Sequence, residues 1–255
     1  KPDTEAWNTA LKLAVVLLLI SAPFQAVHGD AYGRHVADTQ PQKFAAMEAH
    51  YETGQADLHL LAFPKSPDAL TDPRAENLVT VSLPGIGSFL ASGGDFDAEV
   101  IGLNEYEENP PVALVFWSFR FMVGLGFLFI GLAFWGGYLL YRGRLSDSTR
   151  YLKAMIAASP LGYAALLTGW YVTEIGRQPW VIQNELRTSE AVSSTLTGTE
   201  ATLTLVGFVV VYVGLVLTAL YILKWLVREE LQSLGVRESS EGRWHGPIPG
   251  VSDDD

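Results

Sequence analysis

Four long apolar runs constrain this chain more than any other feature. They cover residues 11–27, 112–141, 151–175 and 202–227, and about 20 helical residues cross the apolar layer of a bilayer. This clustering rules out a single soluble domain and predicts an all-α membrane protein with four transmembrane helices. The first run could imitate a secretion signal, but no convincing cleavage pattern accompanies it. We therefore interpret the chain as a piece of a longer polytopic protein.

The segment between the first and second runs holds most of the charge. Residues 28–111 contain 14 acidic and 4 basic residues, and the whole chain has a formal net charge of -11. Nucleic acid is excluded as a partner, because binding its phosphates needs positive charge. The lack of cysteine excludes disulfides, thiolate metal sites and iron–sulfur clusters. The acidity suits salty surroundings as well as a cationic partner, and both explanations stay open.

Basic residues predict the orientation in the membrane. The connection between the second and third spans contains Arg142, Arg144, Arg150 and Lys153, whereas the loop 181–200 contains only Arg187. Short basic loops lie on the cytoplasmic side, so we expect both termini inside. The predicted parts are a first transmembrane helix (1–27), a long extracytoplasmic loop (28–111), three transmembrane helices (112–227) and a cytoplasmic polar tail (228–255).

The long loop has local structure of its own. Its stretch QPQKFAAMEAHYETG has helical spacing, with Phe44, Met47 and Tyr51 on one stripe and Gly54 as the expected stop. The stretch LVTVSLPG near residue 78 alternates like a short strand. Lys43 and Glu48 lie five residues apart in the helical stretch, and a solvated helix face would explain them.

Two ionisable residues fall inside the spans, where charge is costly and often functional. Arg120 lies ~12 Å below the outer end of the second span, at ~1.5 Å rise per residue, and Glu174 lies near the outer end of the third. Met122 leaves its helix on a different side from Arg120, and ordinary packing would explain a methionine there.

The end of the third span combines aromatic and charged residues. Trp170, Glu174 and Arg177 are spaced for one helical stripe, and an interfacial ion pair within an aromatic belt that includes Trp180 would also explain them. None of the five histidines falls well inside a span: His28, His35, His50, His59 and His245.

An ordered set of motifs resembles subunit I of the cytochrome bd quinol oxidases. The motifs are KFAAMEAHYET in the loop, VIGL at 100–103, FRFM at 119–122 and GRQPW at 176–180. The resemblance covers nearly the whole chain and implies that its spans correspond to the sixth to ninth of a nine-span subunit. Residues 28–111 then resemble a short version of the family's quinol loop.

The resemblance also implies roles for individual residues. Met122 would be the thioether ligand of the low-spin haem b, with Arg120 beside it, and Glu174 the carboxylate of the high-spin haem b. Lys43 and Glu48 match the polar pair of the quinol loop. The remaining residues of the signature are expected near the haems: Trp170, Arg177, Gln178 and Trp180.

The implied function is that of a terminal respiratory oxidase. Electrons would pass from quinol at the outer face through the haems b to an oxygen-reducing haem, either haem d or a further haem b, where O2 becomes water. The family's first five helices, with the histidine ligands, have no counterpart here. The implied partners are therefore those helices, subunit II and the lipid bilayer, and the chain alone is expected to be inactive. Whether the missing half is a separate chain, and which quinone is used, stays open.

A second class of function competes with this one. In a non-catalytic membrane protein, such as a transporter fragment or an assembly partner, Arg120 and Glu174 would be structural. The two classes differ in one observable property, because only the oxidase predicts haem absorption bands in membranes that contain the protein and its partners.

Overall fold

The structure is a computed structural model that describes residues 2–65, 76–193 and 195–233. Its elements in chain order are α1 (Pro2–Thr39), α2 (Pro41–Glu48), β1 (Gly54–Gln55), β2 (Leu58–Lys65), β3 (Glu76–Leu83), α3 (Ile86–Ser92), β4 (Glu99–Val100), a 3-10 turn (Leu103–Glu105), α4 (Val112–Tyr141), α5 (Thr149–Ala158), α6 (Leu161–Gly176), β5 (Trp180–Ile182), β6 (Leu186–Arg187) and α7 (Gly198–Ser233).

The predicted fold class is confirmed. Within the described residues, four helical segments are long and apolar enough to cross a membrane: Glu5–Thr39, Val112–Tyr141, Thr149–Gly176 and Gly198–Glu229. The chain divides into two compact units, Lys1–Ala191 and Val192–Asp255, and α7 is the described helix of the second unit. The predicted polar tail lies mostly beyond residue 233, outside the described residues.

The first helix is longer than its apolar run. It continues past residue 27 through Gly29 and Gly33 to Thr39, although glycine costs about 1 kcal/mol in a helix interior. It ends where Gln40 leaves the helical conformation, with φ −137° and ψ 62°. Gln40 precedes Pro41, and the proline ring disfavours a helical residue before it. The non-helical part of the long connection therefore begins at residue 40.

The third span consists of two helices. α5 ends at Ala158 and α6 begins at Leu161, with Pro160 between them. Proline has no backbone N–H and its ring clashes with the preceding turn, so it interrupts a continuous helix. The apolar run at 151–175 is therefore long enough to be one membrane span, but its backbone hydrogen bonding divides it into two helices.

The long loop folds into short elements packed on the helix ends. β2 and β3 form an antiparallel hairpin with Leu58 opposite Leu83, which confirms the strand predicted near residue 78. The helix predicted to reach Gly54 is shorter, because Ala49 adopts a left-handed conformation with φ 50° and ends α2 at Glu48. The chain then turns into β1, whose Gly54 pairs with Val100 of β4.

Two apolar cores lie at opposite ends of α4. The larger contains most of α2, together with Val36 of α1, Val115 and Phe116 of α4 and Val172 of α6. The smaller contains Val15, Leu145 and Tyr151. Residues near the end of α1 thus meet the start of α4, and residues near its start meet the end of α4. The two helices are therefore antiparallel, and the larger core lies on the side of the long loop.

Substitutions of Tyr151 in the smaller core can show whether its ring or its hydroxyl contributes to stability. Its side chain is fully buried, and its hydroxyl has no hydrogen-bond partner among the described residues. Leaving a hydroxyl unpaired costs about 1–3 kcal/mol. We expect Tyr151→Phe to keep or raise the thermal stability in detergent, and Tyr151→Ala to lower it by about 3–5 kcal/mol through the cavity it leaves. Melting followed by near-UV circular dichroism measures both, and a clear loss of stability in Tyr151→Phe would mean that the hydroxyl is hydrogen-bonded.

Candidate functional site

The loop helix α2 is buried against the loop-side ends of the transmembrane helices. Every residue from Gln42 to Glu48 is buried, including Lys43 with 7% and Glu48 with 3% of its surface exposed. A helix of eight residues is not stable alone, so its contacts with α1, α4 and α6 maintain it. The interpretation of Lys43 and Glu48 as a solvated face is therefore wrong.

Lys43 and Glu48 face different helices. Five residues advance a helix by about 140°, which explains why the two side chains have separate partners. Glu48 pairs with Arg120 of α4, while Lys43 contacts the end of α6. A methyl group added at Gly176 would lie 3.2 Å from Cγ of Lys43. Gly176 therefore gives the lysine stem room to lie against α6.

Arg120 forms the most buried ion pair described in the structure. Its Nη2 lies 2.5 Å from Oε2 of Glu48, and the two side chains are 12% and 4% exposed. Its Nε donates to the carbonyl oxygen of His59 at 2.5 Å. The guanidinium also lies 4.8 Å from the ring centre of Phe116 and 5.2 Å from that of Phe119, within the range of cation–π attraction.

Burial shifts the titration of both loop residues. It raises the pKa of the Glu48 carboxyl, against the opposing effect of Arg120. Burial and the nearby charge of Arg177 lower the pKa of the Lys43 amine, while Glu174 acts in the opposite direction. Both shifts favour the neutral form, because a desolvated charge is unfavourable. The two residues are therefore closer to exchanging protons near neutral pH than their types alone indicate.

The end of α6 holds a second polar group. Arg177 donates from Nη2 to Oε2 of Glu174 at 2.6 Å, with both side chains 40% exposed. This is the neighbour relation that their spacing predicts. The Nε of Arg177 is buried and has no hydrogen-bond partner among the described residues. The arrangement leaves a guanidinium N–H available for an additional acceptor.

The rest of the signature motif surrounds this pair. Gln178 accepts a hydrogen bond from the hydroxyl of Thr188 at 2.8 Å. Trp180 in β5 lies 5.3 Å from the guanidinium of Arg187. Trp170 is 57% exposed and contacts Tyr171. The residues of the GRQPW motif are therefore close together in the fold, whereas Trp170 is exposed on α6.

Met122 lies away from the Arg120–Glu48 pair, as its spacing predicts. Its sulfur faces α6, where a methyl group added at Gly169 would lie only 2.9 Å from it. The thioether is half-buried. Its neighbour two positions back, Arg120, faces the loop, so the same stretch of α4 presents a soft donor toward α6 and a cation toward α2.

Sequence reasoning missed the two histidines of the loop. His50 is buried, with Nε2 3.1 Å from the carbonyl oxygen of Val100, and the peptide oxygen of His59 binds Arg120. The only sequence signal was that His50 lies in the stretch with helical spacing, two residues after Glu48. The described residues contain no cluster of three or more His, Cys, Asp or Glu suited to a metal ion.

Comparison with known proteins identifies the family. The model of the cytochrome bd terminal oxidase subunit I family matches residues 1–231. The chain belongs to this family. It is 32% identical over 236 residues to cytochrome bd ubiquinol oxidase subunit 1 of Bacillus subtilis (strain 168), covering 87% of this chain and 49% of that protein. It is 27% identical over 262 residues to cytochrome bd-II ubiquinol oxidase subunit 1 of Escherichia coli (strain K12), covering 78% and 51%.

A solved structure agrees with the sequence matches. The bd oxidase from Geobacillus thermodenitrificans superposes with a TM-score of 0.71 at 29% identity, covering 87% of this chain and 50% of that one. The chain thus spans about half the length of the relatives it matches. Family membership and the four apolar helices together make it a membrane protein.

The Arg120–Glu48 pair gives a quantitative prediction. Removing one partner of a buried ion pair costs about 3–5 kcal/mol, whereas replacing both by apolar groups costs much less. We expect Glu48→Leu and Arg120→Leu each to destabilise the chain strongly, and the double variant less than the sum. Thermal unfolding in detergent measures the coupling.

An exposed pair in the same chain is the control for this cycle. Asp30 and Arg34 are paired at 2.8 Å with side chains 38% and 39% exposed, and such pairs contribute about 0–1 kcal/mol. Asp30→Leu and Arg34→Leu should therefore be nearly additive. If the losses of stability in Glu48→Leu and Arg120→Leu add up to the loss in the double variant, a direct interaction between the two residues is contradicted.

Proposed function

We propose that this chain forms the quinol-oxidising face of a bd-type terminal oxidase. Quinol is oxidised at the outer membrane surface beside Lys43 and Glu48, and the electrons pass toward the low-spin haem b at Met122. One observation carries the proposal: the buried ion pair of Glu48 with Arg120 joins the loop helix to the turn of α4 that contains Met122. A loop that only covered the membrane surface would not need a buried charge.

The loop residues can handle the protons of quinol. Oxidation removes two protons together with two electrons, and a carboxylate near the hydroxyl accepts a proton as a general base. The raised pKa of Glu48 suits this role, since burial makes its carboxylate a stronger base than an exposed glutamate. Lys43, on the other side of α2, donates hydrogen bonds to a quinol oxygen. Because its lowered pKa favours the neutral amine, it places little positive charge in the buried site.

The donors on α4 and α6 fit the proposed haems. The Met122 thioether is a soft ligand suited to iron, and Glu174 offers a carboxylate at the high-spin haem b. The buried, unpartnered Nε of Arg177 fits an anionic group such as a haem propionate. Bound haem supplies one-electron transfer at a potential set partly by its axial ligand. Arg120 keeps positive charge on the loop side of Met122, and Trp170, Gln178 and Trp180 are proposed to line the haem region.

The remaining parts of the enzyme come from elsewhere. The chain spans about half of its relatives, so we propose that it works with the preceding helices of subunit I, with subunit II and within a lipid bilayer. Those helices supply the histidine ligands and the oxygen-reducing haem, whether haem d or another haem b. The basic connection at 142–153 lies in the cytoplasm, and the loop from residue 40 to residue 111 lies outside.

The thioether assignment is tested by Met122→Leu in the assembled complex. The substitution nearly conserves volume and should cost less than about 1.5 kcal/mol, so the complex should assemble. We expect the low-spin haem b signal to be lost or shifted in the optical spectrum. Met155→Leu, on α5 beside the smaller core, is the matched control and should leave the spectrum unchanged. A normal low-spin signal in Met122→Leu would exclude the assignment, and the absence of any haem band in wild type would favour the non-catalytic alternative.

The quinol site is tested by Lys43→Ala and Glu48→Ala, with Glu48→Gln measured beside them because glutamine keeps a hydrogen-bond acceptor for Arg120. Loss of a positioned acid–base group should slow quinol oxidation by about 10²-fold, while an artificial donor that bypasses the loop should still support O2 reduction. The exposed residues Lys65 and Glu107 provide the control variants Lys65→Ala and Glu107→Ala. If both activities fell equally in the site variants while the haem spectrum persisted, the two residues would not belong to a quinol site.

A further inference from the structure

A cavity of about 280 Å³ lies in the loop immediately beyond α2. It is lined by Ala49, His50, Tyr51, Glu52, Gln55, His59, Glu76 and Asn77. Glu52, Gln55 and Glu76 are exposed, so the cavity opens to the surface of the loop. His50 and His59 form its inner part, and neither has a role in the function proposed above.

The buried carboxyl of Glu48 needs a path for protons. Only 3% of Glu48 is exposed, so a proton that it accepts cannot pass directly to bulk water. The guanidinium of Arg120 binds the Glu48 carboxylate with Nη2 and the peptide oxygen of His59 with Nε, both at 2.5 Å. The carboxylate and the peptide oxygen of His59 are thus separated by the width of one guanidinium group, and His59 is also one of the residues that line the cavity.

The hydrogen bonds of the two imidazoles define which nitrogen is basic. A carbonyl oxygen only accepts, so the Nε2 of His50 donates to Val100 and the Nδ1 of His59 donates to Asp57, at 3.1 and 3.3 Å. In a neutral imidazole the other nitrogen is then an acceptor. Each ring is therefore anchored at one nitrogen and can bind or release a proton at the other.

The cavity is suited to water as well. The Oδ1 of Asn77 is buried without a hydrogen-bond partner among the described residues, although its Nδ2 donates to the carbonyl oxygen of Ala49 at 2.9 Å. Buried polar atoms are normally satisfied by protein or by ordered water, and a polar cavity of this size has room for several waters. Water can therefore connect the imidazoles to the exposed carboxylates of Glu52 and Glu76.

We propose that His50 and His59 carry the proton released at Glu48 through this cavity to the outer surface. The inference rests on the function proposed above. The O–H bond of quinol breaks and its proton binds the Glu48 carboxylate, while the electrons leave toward haem iron. The carboxyl proton then moves through water in the cavity to the free nitrogen of an imidazole, and that nitrogen releases it to water near Glu52 and Glu76. Both histidines return to their starting state.

The electrostatics of the cavity support neutral imidazoles at pH 7. Burial lowers the pKa of His50 and of His59. The neighbouring imidazole of His59 lowers the pKa of His50 further, and the guanidinium of Arg120 lowers that of His59. Asp57 raises both, and Glu52 raises that of His50. A histidine accepts protons only above its pKa, so the relay should fail as the pH falls below that value.

The test uses the assembled oxidase in proteoliposomes with a pH indicator outside. Variants His50→Gln, His59→Gln and the double variant are compared with His35→Gln, an exposed histidine of α1. We expect the double variant to lower kcat for quinol about tenfold, the modest size reflecting protons that water still carries. The KM for quinol and the low-spin haem spectrum should not change. We expect the activity of wild type to fall at acid pH, the double variant to show a smaller fall that reflects Glu48 alone, and added imidazole to restore the rate.

The possible outcomes separate the relay from the quinol site. A double variant with the kcat and pH profile of wild type, beside a slow Glu48→Ala, overturns the relay and leaves the quinol site intact. Wild-type rates in the double histidine variant and in Glu48→Ala together overturn the quinol site. If the double variant loses its haem spectrum, the single variants His50→Gln and His59→Gln are compared in the same assay. A wild-type kcat and an unchanged pH profile in both single variants overturn the relay.

Discussion

One buried guanidinium connects the long loop to the transmembrane helix α4. Arg120 binds the carboxylate of the loop helix and a peptide oxygen at the start of the hairpin, and its flat face lies on two phenylalanine rings. A charge this far from water is tolerated only when its hydrogen bonds are satisfied. The loop is therefore anchored to α4 by a hydrogen-bonded contact, and removal of either side chain would leave its buried partner unsatisfied.

The short helix α2 connects the two polar groups of the site. Its Glu48 end faces α4, and its Lys43 end faces the Glu174–Arg177 pair at the end of α6. One rigid element thus joins the two membrane helices that the family resemblance associates with different haems. A displacement of α2 would change the surroundings of both helices together, which gives a physical reason for burying every residue from Gln42 to Glu48.

The sequence predicted the spans well and the contacts between them poorly. Long apolar runs identify membrane helices because the bilayer sets their length, and the i, i+3 spacing of Glu174 and Arg177 predicted their pairing. The extension of α1 to Thr39 was missed because polar residues and glycines do not by themselves end a helix. The pairing of Glu48 with Arg120 could not be predicted from periodicity, because the two residues are 72 positions apart and local spacing carries no information on such contacts.

Ala49 limits how this loop can change over evolution. It combines a left-handed backbone, with φ 50°, and complete burial. The left-handed conformation favours glycine and, among other residues, asparagine, but a fully buried site has little room for an amide. Alanine and glycine are then the residues that fit. Few substitutions are therefore expected to be tolerated at position 49, between Glu48 and His50, even though the alanine side chain has no reactive group.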